Sequence, residues 1–269
     1  ILPQMLSEIQ SYEQALALAQ ELGYAEADPT LDVDGTDAAQ KLAILIRLAF
    51  ATDIPVDQMV CRGIDDLMLS DLEAAAALGY SIKLLATAKL NQGRLEASVQ
   101  PTLVPSNWAL AQTSGADNIV TITGSTVGRL RLAGQGAGQL PTASAVMADV
   151  VDVASGRAAR TFQAVLRSCS RQSTEILPQE EPEHRYYLRC TVDDRPHVLA
   201  DVTDILGRYE VSISSLVQGE SRTATDRNQA ARLIIMTHRV NEGRMRAADA
   251  ELDALDCLQG RSLRLPVAD

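Results

Sequence analysis

The chain has 269 residues and a mass of 28.9 kDa, room for one large domain or two ordinary ones. Its 46% hydrophobic and 22% charged residues argue against disorder, and 3% aromatics leave the core to Leu, Ile, Val and Ala. The formal charge of −11, from 24 basic and 35 acidic residues, argues against a nucleic-acid surface, because phosphates would be repelled over most of the protein. No apolar run reaches the roughly 20 residues of a membrane helix, and no basic stretch followed by an apolar one opens the chain. A soluble protein with neither membrane anchor nor signal peptide is expected. Cys61, Cys169, Cys190 and Cys257 are scattered, and with three dispersed histidines they give no metal spacing and no disulfide framework. A reducing, cytoplasmic setting is the simplest reading. The chain opens on Ile1 rather than methionine, as if a preceding domain had been removed.

In chain order, residues 9–22 have helical apolar spacing and stop at Gly23. An acid-rich loop, 24–35, leads to a helix over 36–50, with Asp34 and Asp37 in a capping-box-like relation at its start. A further helix is expected over 66–78. From Tyr80 to Leu132 the texture changes to short strands at 81–90, 95–103, 119–123 and 127–132, separated by Asn-Gln-Gly, Pro-Ser-Asn and Gly-Ser-Thr turns. The glycine cluster 134–138 precedes a long helix over 141–154. Residues 171–184, polar and acidic with two prolines, read as a linker. Beyond it the order is strand 186–192, helix 198–209, strand 211–217, strand 232–238, helix 244–255 and strand 262–267, with 219–229 as a hydrophilic hairpin tip. That is βαββαβ, the ferredoxin-like split arrangement. The expected architecture is one mixed α/β domain over residues 1–170 and one small α+β domain over 185–269.

Several residues are candidates for chemistry. Asp37 and Lys41 are four apart and project from one helix face. Lys41 lies in line with Leu45 and Leu48, at the end of an apolar stripe, which reads in two ways: a solvated ion pair, or a lysine facing a cleft whose pKa burial lowers into a useful range. The cluster Gly134-Gln135-Gly136-Ala137-Gly138 is not a dinucleotide fingerprint, because the third required glycine is Gln139 and no buried parallel strand follows. It is either a tight turn or a place where backbone approaches a ligand at a helix N-terminus. His197, beside Pro196, reads as a turn residue. Met147, Met236 and Met245 read as core filler, and Trp108 lacks the basic or aromatic company of a base-stacking site.

The string 21–42, from Glu21-Leu22-Gly23-Tyr24 through Asp34-Gly35-Thr36-Asp37 to Lys41-Leu42, resembles the signature of homoserine dehydrogenases. Supporting strings follow in order at 53–64, 78–88, 99–105 and 134–149, the last with a GxGAG…PTASAV pattern, and residues 186–238 are similar to an ACT domain. The resemblance covers nearly the whole chain. It implies a mixed-sheet substrate domain with flanking helices followed by a regulatory ACT domain. The implied chemistry is the NAD- or NADP-dependent, reversible reduction of L-aspartate 4-semialdehyde to L-homoserine in threonine, methionine and isoleucine biosynthesis. Lys41 then matches the family's proton donor and acceptor; Glu26, Asp32 and Asp37 match acids that line the substrate site; and Gly138 matches a glycine that approaches the cofactor. The cofactor would be held mainly by an N-terminal nucleotide-binding domain that these residues do not contain, so the 269 residues alone are expected to be inactive. A homo-oligomer paired through the ACT sheet and an amino-acid effector, threonine, are implied. His197 stands where ACT domains usually have a glycine that leaves the effector space. A second reading is a non-catalytic amino-acid-binding or oligomerisation module that works through its ACT domain.

Overall fold

The computed structural model describes residues 1–8, 12–21, 28–169, 174–220 and 230–269. The expected helix at 9–22 is present as α2 (Tyr12–Glu21), preceded by α1 (Leu2–Glu8), with residues 9–11 outside the described residues. After α3 (Thr30–Val33) comes α4 (Thr36–Phe50), with the bounds that its apolar periodicity predicted. The short strand β1 (Val60–Cys61) leads to α5 (Leu69–Ala77) and then to two long strands, β2 (Tyr80–Asn91) and β3 (Arg94–Pro105). Gln92 and Gly93 join them, both with positive φ (52° and 80°), the conformation a two-residue hairpin requires.

β3 organises the sheet. One edge pairs antiparallel with β2 along its whole length, from Tyr80 opposite Pro105 to Asn91 opposite Arg94. The other edge takes three parallel partners in succession: β6 (Glu175–Ile176), β1, and β11 (Leu263–Val267). Residues 171–173 of the expected linker lie outside the described residues. From residue 174 the stretch is paired, through β6 and through the start of β7 (Glu183–Asp193), and Arg94 meets Glu181 at 2.6 Å.

Between β3 and β6 the chain makes α6 (Ala109–Gln112), a separate hairpin of β4 (Asp117–Gly124) and β5 (Gly128–Gln135), and the helices α7 (Gln139–Ala154) and α8 (Arg157–Cys169). The hairpin and α7 are exposed along their length. Met147, read as core filler, is 59% exposed, whereas Met236 and Met245 are buried as expected. Trp108 does have basic company: the Arg129 guanidinium lies 5.6 Å from its ring centroid.

The C-terminal part is βαββαβ: β7, α9 (Val198–Arg208), β8 (Ile213–Glu220), β9 (Ala230–Thr237), α10 (Glu242–Leu252) and β11, with the short β10 (Val240–Asn241) pairing β7. Strand order is β11-β7-β9-β8, antiparallel throughout, which is the ferredoxin-like order. Alternation along β7 sends Tyr186, Leu188, Cys190 and Val192 into a core with Val202, Leu206, Met245 and Leu252 of α9 and α10. Tyr187 faces the other way and joins Met236, Leu265 and Val267 in a second core with Met5 of α1, Leu72 of α5, Ile82 and Leu103. Both faces of the C-terminal sheet are therefore covered, one by its own helices and one by the N-terminal part. Asp71, fully buried in the first turn of α5, fixes this contact: it accepts the Met68 backbone N–H at 3.0 Å and the Arg189 Nε–H of β7 at 2.6 Å.

Candidate functional site

The site is built on the turn between α3 and α4. Asp28 accepts hydrogen bonds from the Thr30 backbone N–H (3.2 Å) and hydroxyl (2.6 Å), which start α3 and hold the Asp28 carboxyl below its ordinary pKa. Asp34 accepts the Thr36 N–H at 2.7 Å, and Gly35 at the N-cap of α4 has φ +88°. A β-carbon on Gly35 would meet Cys61 Sγ and Val99 Cγ1 at 3.2 Å, so the turn sits directly on β1 and β3. The Ile64 N–H donates to the Val33 carbonyl at 2.9 Å and ties the turn to the loop after β1. The expected reciprocal bond from Asp37 in a capping box is not made; Asp37 engages Lys41 instead.

Lys41 Nζ lies 2.5 Å from Asp37 Oδ2. The pair is on the outer face of α4, with Lys41 70% and Asp37 41% exposed at the side chain. Ala39, Leu42 and Ile46 form the buried face of α4, packed with Met59, Leu95 and Val99. Of the two readings of Lys41, an exposed ion pair or a lysine facing a cleft along the Leu45–Leu48 stripe, the first describes its place, since Leu45 is 44% and Leu48 41% exposed. Helix α4 carries two apolar stripes, and the one that reaches the sheet is 39/42/46. Asp32 stands in α3, one element before this pair, though its side chain is outside what the structure describes; Glu26 lies outside the described residues altogether. Gly138 is on another element, at the N-cap of α7, with φ +123° and ψ 151°, a backbone state that only glycine adopts readily. It leaves the first N–H groups of a 16-residue helix open to solvent, a place an anionic or polar ligand edge can approach.

Chemically, an ammonium hydrogen-bonded to a carboxylate at an open helix face is able to hold a proton and deliver it to an oxygen placed beside it. Among the described residues, no group of three or more His, Cys, Asp or Glu side chains is arranged to hold a metal ion, and no helix is long and apolar enough to cross a membrane. Sequence reasoning did not find the interior charges at the junction of the two parts, Asp71 with Arg189 and Glu242 with Arg264. The pairing is non-local, and the only local signal was arginine at strand positions that otherwise alternate with apolar residues.

Residues 1–151 match the family model described as Homoserine dehydrogenase, and residues 186–257 match that of the ACT domain. The chain belongs to the homoserine dehydrogenase family. It is 40% identical over 271 residues to a homoserine dehydrogenase of Pseudomonas aeruginosa, covering 99% of this chain and 62% of that protein. A crystal structure of a homoserine dehydrogenase from Thiobacillus denitrificans superposes with a TM-score of 0.87 at 38% identity, over 100% of this chain and 61% of that one. The homoserine dehydrogenase of Staphylococcus aureus gives 0.69 at 27% identity, over 100% and 61%. The chain thus spans about three fifths of the length of the homoserine dehydrogenases it matches. Its C-terminal βαββαβ unit is the ACT domain that the sequence resemblance implied.

Proposed function

We propose that this chain is the catalytic and regulatory portion of an NAD(P)-dependent homoserine dehydrogenase, interconverting L-aspartate 4-semialdehyde and L-homoserine in the cytoplasm. The observation that carries the reading is the Asp37–Lys41 pair, 2.5 Å apart on an open face of α4 and embedded in the string 21–42. Lys41 protonates the carbonyl oxygen as the alcohol forms and takes the proton back in the reverse direction; Asp37 orients its ammonium. The acids Glu26, Asp32 and Asp37 suit the substrate's own ammonium group. The nicotinamide cofactor supplies the hydride when bound. Gly138 fits it, since the open backbone at the start of α7 lets one edge of the cofactor approach closely. The 134–138 turn lacks the pyrophosphate-binding pattern, so these residues on their own are without activity and the nucleotide preference lies elsewhere.

The ACT domain supports regulation by a small amino acid, threonine, and a homo-oligomer paired through the β8 edge. His197 bears on the effector. It is exposed, with φ +76° in the left-handed region, so it occupies the backbone state that a glycine would occupy there, with an imidazole added. The direct experiment is to measure homoserine-dependent reduction of NADP and NAD by the full-length protein, with and without threonine. Turnover of homoserine supports the reading. A protein that binds an amino acid and turns over no homoserine is instead the non-catalytic ACT module.

A further inference from the structure

Strand alternation sends the two residues at the end of β1 to opposite faces of the sheet. Cys61 Sγ lies against the α3–α4 turn, where a β-carbon on Gly35 would meet it at 3.2 Å. Arg62 still bonds the sheet, its N–H donating to the Val99 carbonyl at 2.8 Å, but its side chain goes to the face that α10 covers. There its Nη2 lies 3.8 Å from Glu242 Oε1. Glu242 is the first residue of α10 and only 6% exposed. Its carboxylate accepts the Tyr186 hydroxyl and lies 2.8 Å from Arg264 and 3.6 Å from Arg246, so the ACT domain fixes its position.

The backbone of the same loop touches the turn that carries the site. Gly63 has no room for a β-carbon, which would stand 2.4 Å from the Val33 carbonyl oxygen and 2.8 Å from Asp34 Cα. Gly35 in return would put one 3.3 Å from the Arg62 carbonyl oxygen. With the Ile64 N–H donating to that Val33 carbonyl at 2.9 Å, residues 61–64 are the seat on which the end of α3 and the start of α4 rest. Close-packed backbones transmit a displacement rather than absorb it. Arg62 therefore has its side chain among the charges of the ACT domain and its backbone against the turn. Burial and the Arg264 charge work against the Arg62 cation, whereas Glu242 and Asp249 favour it, so those acids hold the guanidinium in place.

We propose that Arg62 is a positioning residue for the α3–α4 turn: anchored by Glu242 of the ACT domain, it fixes loop 61–64 and, through that loop, the acids of the turn. The functional side of the proposal rests on the reading of this turn as the substrate site, and it makes Glu242 the ACT residue through which a shift of α10 reaches the substrate. Asp32 stands one residue before the carbonyl that Ile64 holds. Lys41 stands in α4, which Ala39, Leu42 and Ile46 anchor separately. Loosening the loop therefore weakens the grip on the substrate's ammonium group and leaves proton transfer nearly intact.

Steady-state kinetics and amide hydrogen exchange of the full-length protein test this. Arg62→Met keeps the stem and removes the charge. It should raise the homoserine KM about three- to tenfold with kcat and the cofactor KM near normal, and Arg62→Lys should recover part of the rise. Glu242→Gln should act in the same direction, and the double variant should be no worse than the stronger single one, the mark of two residues acting through one contact. Arg244→Gln, on the exposed side of α10, should leave the KM unchanged. An unchanged homoserine KM in Arg62→Met, or additive single effects, overturns the proposal; should Glu242→Gln not fold, Arg62→Met decides alone. The second readout needs no turnover: peptides covering residues 30–37 should exchange faster in Arg62→Met, while those of β7 keep the unaltered rate. Unchanged exchange over 30–37 overturns the proposal whether or not the protein oxidises homoserine. Faster exchange in a protein without turnover supports the Arg62 anchor and refutes only the substrate-site reading.

Discussion

Replacing Asp71 by alanine should be among the most damaging single changes in the protein. Asp71 is wholly buried, its carboxylate accepting the Met68 N–H at the start of α5 and the Arg189 Nε–H at 2.6 Å. Burial pushes its pKa up and the Arg189 charge pulls it back, so the carboxylate is tolerated only with its partner. In the alanine variant Arg189, itself 6% exposed, becomes a buried cation between Leu263 and Ile234 without its counter-ion. Breaking a buried pair from one side costs about 3–5 kcal/mol, and loss of a helix-start acceptor about 1 kcal/mol. The two overlap, giving an expected loss of about 4 kcal/mol, a large part of a domain's stability. Urea unfolding followed by circular dichroism measures it, with an unchanged slope showing that the denatured state is the same. Adding Arg189→Met to Asp71→Ala should restore most of the loss, because no charge is then stranded. A single-variant loss under about 1 kcal/mol, or no recovery in the double variant, would refute the view that this pair clamps α5 onto the ACT sheet.

Three further outcomes follow from the packing. Glu96 faces Lys89 at 3.6 Å and His184 at 3.3 Å; burial raises its pKa, but the His184 hydrogen bond and the Lys89 charge outweigh that and hold it below its ordinary value of 4.5. Its contribution is therefore present above pH 4.5 and lost as pH falls through the folded value, so the urea midpoints of Glu96→Gln and the unaltered protein should differ at pH 7 and converge in acid. His197→Val should cost about 1–2 kcal/mol in thermal unfolding, since a β-branched residue resists φ +76°, whereas His197→Gly should hold or raise stability. Truncation after residue 185 should lower the melting temperature of the remainder or cause it to aggregate, because Tyr187, Met236, Leu265 and Val267 are removed from the core around α1 and α5; an independently stable remainder would contradict the shared core.

The features that could be read from the sequence are those with a local period. Helix α4 shows its 3.6-residue spacing and ends between Gly35 and the break before Pro55, and the βαββαβ tail alternates cleanly along β7 and β9, so both were legible. The sharing of one sheet was not, because parallel pairs such as Val60 with Ser98 and Val267 with Leu103 join residues far apart and leave no local pattern. Helix α8 escaped notice because its arginines interrupt the apolar run. At the candidate site the Asp37–Lys41 spacing predicted the contact, but two apolar stripes on one helix left open which would meet the sheet, and burial chose 39/42/46. The Asp71–Arg189 pair, 118 residues apart, left no local pattern beyond an arginine among the strand's apolar positions.

The proposed role of Lys41 is tested most directly by steady-state kinetics of homoserine oxidation in the full-length protein carrying Lys41→Ala. The unaltered protein should turn over homoserine, and the variant should lose about 10²–10⁴-fold in kcat with cofactor affinity unchanged, the signature of a lost proton donor and acceptor. Near-normal turnover by Lys41→Ala would show that the pair with Asp37 is a solvated surface contact and would contradict the assignment.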